Sequence, residues 1–320
     1  MKKTSILLTT LVCAALLADT AVAEQGGTGH YISGMFADFS GYPPTQSGWT
    51  FANYFLNYHD ATAGGSKELP LGAFGAVGVT ANTYADIPIA LYSYPFDFLG
   101  GTLSSGAGIP FVWMRVKAEA TIDRRRGSNE VGLEQTTSGL GDIFIMPVMA
   151  GWTNGDFHFG GMFATYAPSG SYSQDNLANA GLGYWTFEPM LTFGWLSSKI
   201  GTEFSIFTAV DFNTENTQAD YHSGDIFHVD ATLAQHLPLA GGILGVGATA
   251  FYLKQITGDS GSGARLGSFE AESYGVGPTI SYVHPIGKST LVVDASWLPQ
   301  LHSQNTTKGD FIWVKIALAF

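Results

Sequence analysis

Phe311-Ile312-Trp313-Val314-Lys315-Ile316-Ala317-Leu318-Ala319-Phe320 closes the sequence and decides the reading of the fold. Successive side chains alternate across a strand, so Ile312, Val314, Ile316, Leu318 and Phe320 share one face. Phe311, Trp313, Lys315, Ala317 and Ala319 share the other. An apolar face ending on an aromatic carboxyl terminus suits a final barrel strand whose outside meets lipid and whose inside meets an enclosed lumen. A soluble sheet can alternate in the same way, but has no reason to stop on that aromatic.

The opposite end of the chain agrees. Lys2 and Lys3 precede an apolar run from Ile6 to Leu17, and Ala21-Val22-Ala23 offers small residues to a signal peptidase. The run is too short for a spanning helix, which needs about 20 apolar residues. Residues 1–23 are therefore expected to be a cleaved export signal. The one cysteine, Cys13, lies within them, so the exported chain has no disulfide to form. Val12 is too large for the residue that normally precedes a lipidated cysteine.

The chain carries a net charge of −12, and loss of Lys2, Lys3 and Asp19 makes it one unit more negative. That balance argues against nucleic acid as a partner. Only 12% of residues are charged, against about 25% in ordinary soluble domains. Twenty-two Phe, 14 Tyr, 7 Trp and 41 Gly accompany the low charge. The combination suits a barrel with a lipid-facing exterior; a secreted β-sandwich or β-helix is the alternative.

From Gly48 onward the pattern predicts twelve strands, near 48–59, 76–91, 102–122, 140–153, 156–167, 185–197, 201–214, 225–237, 242–256, 269–284, 289–301 and 309–320. Short links alternate with long polar ones, among them Asp123 to Gly139, Pro168 to Tyr184 and Pro299 to Lys308. Short periplasmic turns and long outer loops form the asymmetry of a bacterial outer-membrane barrel. The expected fold class is all-β, a transmembrane antiparallel up-and-down barrel over 48–320. Residues 24–47, with Gly26-Gly27, Pro43-Pro44 and interspersed aromatics, read as a lumen plug or a periplasmic extension.

A lipid-facing Lys or Arg near the midplane costs about 2–4 kcal/mol, which turns charges toward the lumen. The expected lumen set is Arg115, Lys117, Glu119, Glu188, Glu203, Asp211, His228, Asp230 and Lys315. Phe51, Phe55, Trp113, Phe207 and Trp313 join them on the faces read as inward. Their rings suit a less polar solute, or they fill a narrow twelve-stranded interior. Arg124-Arg125-Arg126, in an expected outer loop, suits lipopolysaccharide phosphates or is a solvated charge cluster.

Several blocks carry a more specific signal. Gly29-His30-Tyr31 through Asp38-Phe39, Gly139-Leu140-Gly141-Asp142 to Pro147, and Ala167-Pro168-Ser169-Gly170-Ser171-Tyr172 belong to it. So do Asp175-Asn176-Leu177-Ala178-Asn179, Tyr184-Trp185-Thr186-Phe187-Glu188-Pro189 and Asp211-Phe212-Asn213-Thr214-Glu215-Asn216. Asp220-Tyr221-His222-Ser223-Gly224-Asp225, the run Gln255 to Ala264, and Gly275-Val276-Gly277-Pro278 complete the set. In these blocks the chain resembles the outer-membrane family named for the meta-pathway of phenol degradation. The resemblance implies an outer-membrane β-barrel that helps aromatic or other hydrophobic compounds across, and it carries over no site residues.

Other chemistry is weakly supported. Asp211, Glu215, Asp220 and Asp225 could gather around calcium, but their irregular spacing suits a solvated rim. Zinc-type spacing is absent, and no cofactor is expected. His222, Ser223, His228 and Asp230 are near in sequence, yet nothing arranges them as nucleophile and base. The reading is non-enzymatic: a monomeric passive channel for small hydrophobic or aromatic molecules. Its expected partners are outer-membrane lipid and lipopolysaccharide, and the barrel-assembly machinery through the strand ending at Phe320. A structural or surface-binding barrel, and an outer-membrane hydrolase, are the rival classes.

Overall fold

The computed structural model describes residues 29–36, 47–64, 69–71, 74–124, 127–264 and 266–320. The expected export signal, residues 1–23, and Arg125 and Arg126 lie outside the described residues, as do the side chains of Glu119 and Arg124. The strands are β1 (Gly48–Gly64), β2 (Leu69–Leu71), β3 (Phe74–Ser93), β4 (Thr102–Gly108), β5 (Phe111–Arg124), β6 (Gly127–Leu140) and β7 (Phe144–Asn154). They continue as β8 (Phe157–Tyr166), β9 (Thr186–Leu196), β10 (Thr202–Asn213), β11 (Glu215–Asn216), β12 (Tyr221–His222) and β13 (Ile226–Leu239). The last four are β14 (Gly242–Gln255), β15 (Glu272–Ile286), β16 (Ser289–Gln304) and β17 (Thr306–Ala319).

Each long strand pairs antiparallel with its neighbours, and β1 pairs with both β3 and β17, which closes the sheet. Closure leaves no open edge in the hydrocarbon, where an unpaired backbone polar group would cost several kcal/mol. β4 and β5 are two halves of one wall strand, interrupted by Ile109-Pro110, and β6 and β7 are halves of the next. With these counted as single strands and the short β2, β11 and β12 set aside, the wall is a closed twelve-stranded antiparallel barrel. At the first interruption Phe144 lies directly against the backbone of Gly108, where any Cβ would meet its ring at 2.3 Å.

Exposed apolar side chains such as Leu191, Leu233, Val246, Ile280 and Ile316 face away from the lumen. Aromatic contacts band them on either side. Near the short turns lie Trp49 with Tyr92 at 4.9 Å and Phe157 with Phe193 at 6.3 Å. Toward the long loops lie Phe55 with Tyr84 at 6.5 Å, Tyr84 with Trp113 at 5.3 Å, and Phe163 with Phe187 at 6.3 Å. An apolar band between aromatic girdles on a closed barrel is the surface of a bacterial outer-membrane protein.

Two segments read as loops are strands. The polar stretch after Asp123 forms β6, paired with β5 from Phe111↔Leu140 to Arg124↔Gly127. At the other long link, β16 and β17 run on until Asn305 alone turns the chain, with φ of 56°. Both regions extend past the outer girdle, where strands have no reason to show an apolar face.

The same geometry corrects five lumen assignments. Phe51 and Phe55 are 51% and 41% exposed on the outer face of β1, while Tyr54, Leu56 and Tyr58 point inward and are buried. On β5, Trp113 is exposed in the outer girdle and Arg115 and Lys117 continue its face beyond it. Arg115 and Lys117 both pair with Glu134 of β6, the lysine at 3.5 Å. Outside the hydrocarbon these charges have no reason to turn inward. Val116 and Ala118 are buried on the opposite face of β5.

Candidate functional site

Residues 29–36 lie within the barrel and are held by side chains of the wall. His30 bonds Thr186 Oγ1 at 2.7 Å through Nδ1 and Asp142 Oδ2 at 2.9 Å through Nε2. Its ring stacks on Tyr166, with centroids 4.9 Å apart. Tyr31 donates its hydroxyl to Asp230 and stacks on His228 at 3.6 Å. Asp230 also accepts the amides of Gly34 at 3.1 Å and Phe36 at 3.3 Å. From the other side, Lys315 Nζ donates to the carbonyls of Gly34 and Met35, each at 2.9 Å. Trp313 Nε1 donates to Ser33 O at 3.0 Å.

Gly34 is required at its place. Its φ is +82°, and a Cβ there would come within 2.2 Å of Leu298 and 3.3 Å of Trp313. With neither a strand partner nor a helix of its own, this short segment meets its backbone needs largely through buried Asp230, Lys315 and Trp313.

On one side of the segment is a wall of buried ionisable side chains. Glu188 of β9, Asp211 of β10 and His228 of β13 are buried together, with His228 Nε2 at 3.1 Å from Glu188 Oε1 and 3.4 Å from Asp211 Oδ1. Tyr166 donates to Glu188 Oε2 at 2.9 Å. Nearer the short turns, Glu203 bonds His236 at 2.7 Å. Phe207 is buried on the same inward face of β10.

On the other side is an apolar cavity of about 230 Å³. Leu56, Ala85 and Ile87 from β1 and β3, Val112, Met114 and Val116 from β5, and Phe144 line it. Tyr31 and Met35 border it from the segment, and Leu177, Asn179 and Leu182 from the loop after β8. Asp142, at the break between β6 and β7, organises that loop by accepting the amides of Gly170 at 2.8 Å and Leu182 at 2.6 Å. Gln135 of β6 holds it too, accepting the amide of Leu177 at 2.6 Å.

The lumen thus gathers Glu188, Glu203, Asp211, His228, Asp230, Lys315, Phe207 and Trp313, and excludes Phe51, Phe55, Trp113, Arg115 and Lys117. The acids weighed for calcium do not converge. Asp211 is in the lumen, Asp220 lies beside exposed Glu215 and bonds Ser262, and Asp225 donates its amide to Thr257 Oγ1 at 2.7 Å. His222 and Ser223 sit in the outer loops, apart from His228 and Asp230 on β13. In those loops, burial pushes the Asp259 carboxyl up despite hydrogen bonds from Tyr221 and Gly224, whereas Ser262 pulls Asp220 down. His30, Tyr31 and Asp142 carry much of the site without having been singled out in sequence. Their signal was polar and aromatic residues set among glycines in the quoted blocks.

Residues 61–316 match the model of the family described as "Putative MetA-pathway of phenol degradation". The chain belongs to that family. No curated protein matches it. Among solved structures, it is similar to an outer membrane channel from Pseudomonas putida F1, at 14% identity and a TM-score of 0.64. That match covers 91% of this chain and all of the other. The β domain of the Bordetella autotransporter BrkA is similar at 10% identity and a TM-score of 0.47, over 86% of this chain and all of that one. The first likeness shows a shared barrel fold, and the second is too remote to inform the site. Family membership, the closed barrel and the girdled apolar surface place this member in the bacterial outer membrane.

Proposed function

We propose that the chain is a passive outer-membrane channel for small hydrophobic molecules, aromatic ones included, with residues 29–36 as its plug. The observation that carries this reading is the apolar cavity of about 230 Å³ inside the barrel, beside a segment that spans from Asp142 to Lys315. Engineered apolar cavities of about 150 Å³ stay dry and bind benzene, so this space suits a substituted single ring. Burying about 150 Å² of apolar surface at 25 cal/mol per Å² yields about 4 kcal/mol, or millimolar affinity. Weak holding of that order suits passage, because a tightly held solute would not leave.

The wall offers the solute a side route. Among the described residues β6 pairs only with β5, and the loop after β8 is held to it through the Gln135 side chain. Leu177 and Leu182 of that loop reach the cavity. An apolar solute passing there would enter the cavity from beyond the outer girdle without crossing the wall that holds Glu188, Asp211 and His228.

Uptake into proteoliposomes of a single-ring aromatic, with arabinose as polar comparison, tests the reading. Protein-dependent uptake of the aromatic alone is expected, and Ala85→Trp, which fills the cavity, should remove it. Equal uptake of both solutes, or of the aromatic by the parent and Ala85→Trp alike, would overturn it.

A further inference from the structure

The structure assigns a divalent transition-metal site, best suited to zinc, to Glu188, Asp211 and His228 beneath the plug segment. Strand pairing brings the two carboxylates face to face. Ala209↔Met190 and Phe212↔Phe187 are in register, which sets Asp211 opposite Glu188 on the inward side. Like charges directly opposite one another destabilise a sheet. Here both are fully buried, so water cannot screen them.

His228, from the next strand, does not complete the arrangement. Its buried Nε2 lies within ion-pair distance of Glu188 Oε1 and Asp211 Oδ1 but outside hydrogen-bond geometry to either, and Asp211 Oδ2 has no hydrogen-bond partner. A proton on the imidazole balances one of the two carboxylates. A divalent ion with neutral imidazole balances both, and supplies a partner for His228 Nε2, Glu188 Oε1 and one oxygen of Asp211.

The distances fit an ion. Bonds of 2.0–2.1 Å in a tetrahedron put neighbouring ligand atoms about 3.3–3.4 Å apart. His228 Nε2 stands 3.1 Å from Glu188 Oε1 and 3.4 Å from Asp211 Oδ1, and one ligand atom from each residue lies within 4.8 Å of the others. One imidazole and two carboxylates leave the fourth position of zinc open. The surrounding contacts are those of an oriented site. Tyr166 fixes the free oxygen of Glu188, and Tyr31 lies flat on the His228 ring at an interplanar angle of 10°. All three ligands are on adjacent strands rather than loops, which limits their movement. Among the described residues no other such group of three occurs.

The test uses the full exported chain, purified in detergent with neither polyhistidine tag nor chelator. Elemental analysis is expected to find about one zinc per chain. After chelation, cobalt(II) alone should restore a four-coordinate visible spectrum. Asp211→Asn should weaken cobalt binding by about 100-fold or more, and Tyr166→Phe by about 10- to 100-fold, since outer partners carry that weight. Glu203→Gln, in the separate pair with His236, should leave the cobalt spectrum in place. Heat-modifiable gel mobility reports whether each variant has formed its barrel. Native protein with under a tenth of an equivalent of metal and no cobalt spectrum would overturn the assignment, whatever the variants do. So would cobalt binding that survives Asp211→Asn.

Discussion

Replacing Asp230 by alanine removes three acceptor contacts at once from the segment inside the barrel. Tyr31 Oη, Gly34 N and Phe36 N all donate to its carboxylate, and all three bonds are buried. A typical intramolecular bond contributes about 1–1.5 kcal/mol net, so the loss is about 3–4.5 kcal/mol. At 1.4 kcal/mol per decade, that raises the detached population roughly 100- to 1,000-fold. Asp230→Asn keeps the oxygen that serves Tyr31 and Gly34 but turns an NH₂ toward Phe36, and should fall between parent and alanine. The assay uses Ser33→Cys in each background. Ser33 is buried in the segment, and the only natural cysteine is Cys13. The rate of modification by a polar maleimide follows the exposed population when closing is fast. The order should be alanine, then asparagine, then parent, with matching gains in planar-bilayer conductance. If both variants form barrels and their rates stay within about threefold of the parent, Asp230 does not hold the segment.

Three further outcomes are expected. Lys315→Met frees the carbonyls of Gly34 and Met35 and should raise Ser33→Cys labelling by about 10- to 100-fold, from two lost bonds. Ile280→Arg puts a charge on the lipid face and should destabilise the barrel by about 2–4 kcal/mol in bilayer refolding; Arg115→Leu, beyond the girdle, should change it by less than 0.5 kcal/mol. Asp259→Asn should slow hydrogen exchange at the Gly224 amide at neutral pH, because burial raises the carboxyl above its ordinary 3.8 and a neutral side chain avoids that cost. The native carboxyl's contribution is present below pH 3.8 and lost as pH rises through the raised value, so the variant's advantage should vanish in acid.

How much of this was legible in sequence depended on where each strand lies relative to the lipid. On β17, alternation separates Ile316 from Lys315 correctly, because that strand crosses the apolar layer with a charge inside. The same rule applied to β5 gives the wrong face. There the lumen is itself apolar, so Val112, Met114 and Val116 point in, while Arg115 and Lys117 are past the girdle and free to point out. Hydrophobic alternation says which residues share a face but not which face is lipid. On β1, either parity supplies aromatics: Phe51 and Phe55 outside, Tyr54 and Tyr58 inside. β6 was hidden because neither of its faces meets hydrocarbon, and polar alternation resembles a loop. The approach of Glu188, Asp211 and His228 depends on inter-strand register, which no single strand records.

The anchors of residues 29–36 have a bearing on assembly order. They are drawn from Asp142, Thr186, Asp230, Trp313 and Lys315, so the receptor for this short peptide is spread over more than half of the polypeptide. Trp313 and Lys315 reach their places only when the last strand zips against the first. The amino-terminal residues, although among the earliest exported, therefore have nowhere to settle until that final seam is made. Their docking marks a finished wall, and a chain stalled before the seam forms would leave them accessible to periplasmic proteases.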